Sequence, residues 1–182
     1  MEKRIYIVRH CETQGQSPTS PLTEKGHQQA KHLVAFFDNV NIDHIISSPF
    51  LRAKQSVEPL SKERHIDIEI DERLQERQLS TNDLPNWEEK LKATFADWDL
   101  AYEGGESSRA ASQRIISVVD EVFKNDDENT VIVSHGNLTS LLLYHYKYDL
   151  GFEGWKKLSN PDVFLFEYTN NHVTIERLWQ DE

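Results

Sequence analysis

The chain has 182 residues, of which 37% are apolar and 28% are charged, and its net charge is −11. Such a composition is typical of a globular protein, and the length fits one domain. The negative charge argues against a protein that binds nucleic acids or anionic membranes, because both would repel it. No apolar run approaches the roughly 20 residues of a membrane span. A single cysteine excludes an internal disulfide and favours a reducing, cytoplasmic setting.

The first predicted strand ends at two basic residues. Four consecutive apolar residues, Ile5 to Val8, are typical of a strand that is buried on both faces of a parallel sheet. Arg9 and His10 follow this run at once. Ligand sites of open α/β sheets form beyond the carboxyl ends of the strands, so this pair lies where a site is expected. By itself, the pair is explained equally well as an ordinary basic strand end.

Helical and strand patterns alternate along the rest of the chain. The predicted helices begin at Thr23, at Ser48-Pro49 (ending near Ser61), after Gly105 (ending near Lys124) and at Leu138 (ending near Tyr146). The further predicted strands are His44–Ser47, Ile66–Ile70, Thr130–Val133 and a terminal hairpin of Val163–Tyr168 with His172–Leu178. This alternation predicts a three-layer α/β/α sandwich with a mostly parallel sheet.

Residues 72–104 are the least regular part of the chain. Trp87, Leu91, Phe95 and Trp98 recur there at helical spacing. Either these residues form a short helix that packs on the core, or the segment folds over the active face and lines the leaving-group side of the site. We predict a single domain over residues 1–182 with a small cap or insertion at about residues 77–104.

Two histidines and two arginines are predicted to meet at one edge of the sheet. Arg9 and His10 follow one strand, and His135 follows another strand with the same pattern. Arg52 lies about one turn into a helix that starts directly after a strand. Guanidinium groups match the oxygens of a phosphate, so this set suits a tetrahedral dianion. The pocket would then be locally positive within an acidic protein.

The segments that carry these residues resemble the histidine phosphatase superfamily, the phosphoglycerate mutase-like proteins. Arg9-His10-Cys11-Glu12-Thr13 resembles the Arg-His-Gly signature of that family. Five further segments resemble family segments in the same order, so that the likeness spans residues 4–137: Pro21–Gly26, Ser47–Ala53, Leu74–Glu76, Gly104–Ser107 and Ser134–Asn137. The resemblance implies the phosphoglycerate mutase-like fold and, for this chain, the phosphatase branch.

The resemblance also implies a reaction. His10 would attack phosphorus to give a phosphohistidine, and Glu76 would serve as general acid for the leaving oxygen and base for the attacking water. The residues alone do not say which histidine, His10 or His135, is the nucleophile. The assignment to His10 is implied by the resemblance to the family. An attacking imidazole must be neutral, and we expect Arg9 and Arg52 to lower the pKa of His10.

The remaining site residues are assigned to binding. The resemblance implies that Arg9, Arg52 and His135 hold the phosphoryl oxygens and offset charge in the transition state. Gln16 and Asn137 would lie beside the phosphate or the substrate. The expected activity is therefore the metal-independent hydrolysis of phosphate monoesters, without a cofactor, on a small phosphorylated molecule. Neither a nucleic acid nor a membrane is an expected partner.

Cys11 departs from the family, which has glycine at this position. A Cβ there could crowd the phosphate or force an unfavourable backbone, but cysteine is small, and we expect it to be tolerated. Its position beside Arg9 and His10 suggests a thiol of lowered pKa that is sensitive to oxidation. A cysteine-dependent phosphatase would need an arginine six residues on, and that residue is Ser17.

Two other functions remain open. A mutase must shield its phosphohistidine from water, and mutases continue the acidic motif with Arg-x-Tyr-Gly, whereas this chain has Arg77-Gln78-Leu79-Ser80. The short chain and this difference favour a phosphatase. A non-catalytic protein that binds a phosphorylated ligand would be expected to lack a catalytic residue, and none of the five is missing.

Overall fold

The computed structural model of the protein describes residues 2–179. One six-stranded sheet has the order β3-β2-β4-β1-β5-β6. Its strands are β1 (Lys3–Arg9), β2 (His44–Ser47), β3 (Ile68–Ile70), β4 (Asn129–Ser134), β5 (Asp162–Thr169) and β6 (His172–Arg177). The first four strands are parallel, and β5 pairs with β1 and β6 in antiparallel fashion. The predicted sheet and its terminal hairpin are confirmed.

Helices cover both faces of the sheet. They are α1 (Glu24–Phe36), α2 (Leu51–Arg64), α3 (Trp87–Ala96), α4 (Ser108–Lys124), α5 (Gly136–His145) and α6 (Gly151–Lys156), with a 3-10 turn at Glu72–Leu74. One core cluster contains residues of α1 and α2, and the other contains residues of α4 and α5. The predicted three-layer α/β/α sandwich is therefore confirmed. Within residues 2–179, no helix is both long enough and apolar enough to cross a membrane.

β1 is buried on both faces, as its sequence predicts. Ile5 and Ile7 belong to the core cluster under α4 and α5, while Tyr6 and Val8 belong to the one under α1 and α2. These four side chains are at most 6% exposed. The strand therefore joins the two halves of the core and fixes the position of the residues that follow it.

Several element boundaries differ from the sequence-based expectation. α2 begins at Leu51, not at Pro49, because Phe50 keeps an extended backbone and the Leu51 N–H donates to the Pro18 carbonyl at 2.9 Å. It also runs past Ser61 to Arg64. α5 begins two residues before the expected Leu138, β3 has only three residues, and the six-residue α6 is absent from the sequence-based assignment.

The carboxyl ends of the central strands meet at one edge. Arg9 at the end of β1 pairs with Ser134 at the end of β4, and Ser47 of β2 pairs with Val133 of β4. Beyond these ends, the chain continues into the loop before α1, into α2 and into α5. Residues from three separate parts of the sequence therefore come together here.

Candidate active site

A cavity of about 550 Å³ lies beyond these strand ends. Its volume is in the range of small-molecule sites. Eight polar residues line it, namely Arg9, His10, Thr13, Gln16, Glu76, Arg77, Asn137 and Asn160. Four apolar residues complete the wall, namely Leu79, Trp87, Leu91 and Trp155. Five of the seven residues predicted from the sequence thus share this wall, while Arg52 and His135 are buried next to His10.

The His10 ring is held in one tautomer. Its Nδ1 lies 2.8 Å from the Cys11 carbonyl oxygen, and a carbonyl only accepts, so Nδ1 carries the proton. Nε2 is then the unprotonated nitrogen, and it accepts a bond from Arg52 Nε at 3.3 Å. The backbone is fixed as well, since the His10 N–H donates to Ser134 and its carbonyl accepts from the Asn160 side chain. The geometry therefore presents Nε2 as the nucleophilic atom.

The imidazole of His10 is neutral at physiological pH. Burial is the main cause that lowers its pKa, the bond to Cys11 opposes it, and the charges of Arg9 and Arg52 add to it; together they lower the pKa of His10 to about 3. The sequence-based expectation named the arginines as the cause, but burial contributes more. The side chain is only 5% exposed, which explains why burial lowers the pKa more than the two arginine charges do.

Arg52 connects the nucleophile to the loop before α1. Its Nη1 donates to the carbonyls of Gln16 and Ser17 at 3.2 and 3.0 Å, while its Nε faces His10. The guanidinium also lies 5.0 Å from the ring centre of Phe50. Burial lowers its pKa, although arginine stays protonated at physiological pH. A full positive charge is therefore held directly beside Nε2.

Arg9 occupies the opposite side of the site and needs a glycine beside it. Its Nη1 donates to the carbonyls of Leu158 and Ser159, whereas the buried Nε has no partner within residues 2–179. A Cβ on Gly136 would lie 2.9 Å from that Nε. Gly136 at the start of α5 thus leaves space for the guanidinium.

His135 is completely buried at the cap of α5. Its ring centre lies 5.2 Å from that of His10, and its Nε2 lies 2.8 Å from Ser48 Oγ. Ser48 Oγ accepts the Phe50 N–H, and its own proton can be donated to His135 Nε2. In that tautomer His135 Nδ1 carries a proton, and this atom has no partner in the described part of the chain. Burial, with the charges nearby, holds the pKa of His135 well below its usual value.

Glu76 is fixed by three backbone donors. Oε1 accepts the N–H groups of Arg77 and Leu138 at 2.8 and 2.9 Å, and Oε2 accepts that of Asn137 at 3.0 Å. Two of these donors belong to the first turn of α5, where free N–H groups favour a carboxylate. Each carboxylate oxygen can accept about two bonds, so Oε2 keeps one acceptor position on the cavity side.

Gln16 and Asn137 both line the cavity but differ in burial. Gln16 is exposed at its mouth, and Asn137 is only 4% exposed. The Asn137 side-chain oxygen accepts from Arg77 at 3.4 Å, while its Nδ2 has no partner within residues 2–179. Asn137 therefore offers a donor to a ligand.

Arg77 is a site residue that the sequence analysis missed. It had served only to show a difference from the mutase motif, yet its side chain is 6% exposed and lines the cavity. Nη1 and Nη2 donate to oxygens of Thr94, Ser108 and Glu106, and Nε has no partner among the described residues. Its position directly after Glu76 was the signal that could have identified it.

The residues at helical spacing within residues 77–104 support both interpretations, since some line the cavity and others pack against neighbouring helices. Trp87 and Leu91 line the cavity, as an insertion over the active face predicts. Phe95 instead packs against α6, and Trp98 against Tyr144. Trp155 of α6 was missed with its helix, although the spacing of Phe152 and Trp155 is helical.

The thiol of Cys11 does not have the predicted reactivity. Its side chain is fully buried in the core cluster under α1 and α2, and burial raises its pKa to about 12. The backbone there is not in the left-handed region, so the cysteine causes no strain of that kind. Its N–H donates to Ser56 Oγ at 2.8 Å. The prediction of a low-pKa, oxidation-sensitive thiol was wrong, because the side chain faces the core.

Together, these groups present a neutral nucleophilic nitrogen, buried cations and a fixed carboxylate on one cavity. Within residues 2–179, no cluster of three or more His, Cys, Asp or Glu side chains could hold a metal ion. The guanidinium groups of Arg9 and Arg77 bring several donors to the wall, and such donors suit an anionic, oxygen-rich ligand.

Comparisons with known proteins agree on the family. Residues 5–181 match the model of the histidine phosphatase superfamily (branch 1). The "Probable phosphoglycerate mutase GpmB" of Salmonella choleraesuis strain SC-B67 is 33% identical, over 91% of this chain and 85% of its own length. YhfR of Bacillus stearothermophilus is 25% identical, with a TM-score of 0.79 over 96% of both chains.

Two solved phosphatases share the fold at lower identity. A mycobacterial glucosyl-3-phosphoglycerate phosphatase is 21% identical and has a TM-score of 0.74 over 97% of both chains. The α-ribazole phosphatase of Shigella flexneri is 23% identical and has a TM-score of 0.75 over 96% of this chain and 95% of its own. The relatives thus include proteins named as phosphatases and as mutases. The chain belongs to branch 1 of the histidine phosphatase superfamily.

Proposed function

We propose that the protein is a metal-independent phosphatase that hydrolyses phosphate monoesters through a phosphohistidine on His10. The observation that carries the proposal is the unprotonated Nε2 of a neutral, buried imidazole, 3.3 Å from Arg52 Nε. This nitrogen is a nucleophile without prior loss of a proton. The substrate is a small phosphorylated molecule, and the single buried thiol is in keeping with a reducing cytoplasm.

In the first step, the lone pair of His10 Nε2 forms a bond to phosphorus and the bond to the leaving oxygen breaks. Arg9, Arg52 and the Nδ1–H of His135 stabilise the negative charge on the non-bridging oxygens. Glu76 takes up a proton at Oε2, the oxygen that accepts a single backbone N–H, as the anionic substrate binds. It gives this proton to the leaving oxygen, and the alcohol departs. A donated proton at this stage is typically worth about 10²–10⁴ in rate.

In the second step, water hydrolyses the phosphohistidine. Glu76 Oε2, now ionised, takes a proton from the attacking water as the bond between phosphorus and Nε2 breaks. Phosphate leaves and the lone pair returns to Nε2. Water can reach the site, since Gln16 and Trp87 on the cavity wall are exposed.

A phosphoglycerate mutase is the second candidate, favoured by the printed name of the GpmB relatives. A mutase must hold a bisphosphorylated intermediate away from water. No lysine is among the residues that line the cavity, and its mouth is open to solvent. Conversion of 3- to 2-phosphoglycerate, with added bisphosphoglycerate, would overturn the proposal if it exceeded phosphate release.

The direct test is the variant His10→Asn, assayed for phosphate release without added metal. We expect turnover to be lost, together with an acid-labile phosphate adduct seen by intact-protein mass spectrometry after brief reaction of the wild type. Glu76→Gln is expected to slow turnover by about 10²–10⁴ while the adduct still forms with a substrate whose leaving group needs no proton.

The matched control is His27→Gln, because His27 is exposed on α1. It should keep both turnover and the adduct. Retained turnover in His10→Asn, or an adduct on a different residue, would contradict the mechanism.

A further inference from the structure

Part of the cavity wall is apolar. Leu79, Trp87, Leu91 and Trp155 all lie on its wall. Trp87 is 51% exposed, so a large indole lies at the mouth without protein covering it. Exposed tryptophan is costly in water, and such side chains commonly mark ligand contacts.

The same wall has donors without acceptors. Arg77 Nε, Asn137 Nδ2 and Trp155 Nε1 are buried atoms that have no hydrogen-bond partner within residues 2–179. Arg77 and Asn137 are at most 6% exposed. Buried donors are normally satisfied, so three of them on one wall indicate acceptor atoms on a ligand.

The oxygens of Glu76 and Asn137 are already in use. Among the described residues of the wall, Glu76 is the single carboxylate, and it accepts three backbone N–H groups. The Asn137 side-chain oxygen is used by Arg77, and the other side-chain oxygens on the wall are those of Thr13, Gln16 and Asn160. A polyhydroxylated leaving group placed against Arg77, Asn137 and Trp155 would bring O–H donors to a part of the wall that itself presents donors, at a cost for each one left unpaired.

We infer that the leaving group is a flat, apolar ring with acceptor atoms, as in aryl or heteroaryl alcohols. The ring packs against Trp87, Leu91 and Leu79, and an acceptor atom takes the N–H of Trp155. Arg77 and Asn137 donate to oxygens nearer the phosphate. This inference rests on the proposed function for its reaction, but ring binding is measured separately from turnover.

The test uses phosphonates, which cannot be hydrolysed at the bond to carbon, and calorimetric binding to the wild-type protein. Benzylphosphonate is expected to bind about three- to tenfold tighter than methylphosphonate, since an aromatic contact contributes about 0.5–1.5 kcal/mol beyond its buried area. The best of the three pyridylmethyl isomers is expected to exceed benzylphosphonate a few-fold. The phosphonate analogue of glucose 6-phosphate is expected to bind more weakly than either.

Three variants locate the effect. Trp87→Ala should remove most of the benzyl advantage, and Trp87→Phe should retain most of it. Trp155→Phe keeps a ring but lacks the N–H, and should remove the advantage of the pyridyl isomer alone. Tyr144→Ala is the control, because Tyr144 is 47% exposed and absent from the cavity wall; both advantages should remain.

Equal binding of benzylphosphonate and methylphosphonate would overturn the inference, and so would preferred binding of the sugar analogue. If the ring advantage were found but no phosphate monoester were hydrolysed, the proposed function would fail while the ring site stood. If phosphate monoesters were hydrolysed but benzylphosphonate bound no tighter than methylphosphonate, the proposed function would stand and the ring site would fail.

Discussion

The arginines around the cavity differ from those in the rest of the protein. Six of the nine arginines form ion pairs with carboxylates, namely Arg4, Arg64, Arg73, Arg109, Arg114 and Arg177. Arg9, Arg52 and Arg77 form none within residues 2–179. Their contacts are backbone carbonyls, hydroxyls, an amide oxygen and the His10 ring.

The difference shows how an acidic protein can hold an anion. An isolated buried charge is costly, and its usual remedy is a carboxylate partner. Glu76 raises the pKa of all three cavity arginines, but by less than burial lowers it. Their positive charge is therefore left for a ligand, whereas the other six arginines are paired with carboxylates.

Among the arginines, the largest effect is expected from Arg52→Ala. The value of kcat/KM should fall by about 10²–10³, as it does when one donor to a developing charge is removed. Phosphate release under subsaturating substrate measures the change. Arg109→Ala is the matched control, since Arg109 is exposed and paired with Asp99, and its activity should equal that of the wild type. Equal losses in both variants would remove the distinction between the two sets of arginines.

The pH dependence of stability tests the neutral state of His10. Burial lowers its pKa from 6.5 to about 3, so the unfolded chain binds a proton at pH values where the folded protein does not. The free energy of unfolding should therefore fall as the pH falls below 6.5, by about 1.4 kcal/mol per unit for this group until the pH nears 3.

Urea unfolding of the wild type and of His10→Asn between pH 7 and pH 4 measures this slope. The variant should lose less stability on acidification, and His27→Gln should lose as much as the wild type. Parallel curves for the wild type and His10→Asn would mean that the ring is protonated in the folded protein.

Gly136→Ala tests whether the position of Arg9 matters. The added Cβ would lie 2.9 Å from Arg9 Nε and must displace the guanidinium. We expect kcat/KM to fall by about tenfold, equivalent to about 1.4 kcal/mol. In an Arg9→Ala background the same change should have little further effect, because the clash is gone. Additive losses would point to a general disturbance of α5.

The smallest effect is expected at Cys11, whose side chain faces the core although it follows His10 in the chain. Burial raises its pKa to about 12, so a thiol reagent should label the protein only after unfolding. Cys11→Ala should cost about 1 kcal/mol of stability and leave kcat/KM unchanged. Rapid labelling of the native protein, or loss of activity in the variant, would restore a role for the thiol.

Much of the fold could be predicted because the signals are local. The apolar run of β1, the Thr23 and Ser107 caps and the terminal hairpin depend on residues close together in the sequence. The helix and strand boundaries that differ from the prediction depend on residues distant in the sequence. α2 starts late because Phe50 keeps an extended backbone, next to a Leu51 N–H that donates to Pro18 of the preceding loop.

The candidate site was predicted unevenly for the same reason. His10 and Arg9 stand at a strand end that periodicity can find. Arg77 and Trp155 could not be found that way, because a buried arginine and an exposed one look alike in sequence, and α6 is too short to show a pattern.

The sequence by itself determined the order of the elements, the burial of β1 on both faces and the set of residue types that meet at the strand ends. These follow from periodicity and from the geometry of a parallel sheet. The tertiary structure alone decided which way each side chain faces. It directs the Cys11 thiol into the core, leaves three arginines without carboxylate partners among residues 2–179 and brings Trp155 to the same cavity wall as Trp87. Those outcomes depend on packing between segments far apart in the chain, which no local pattern records.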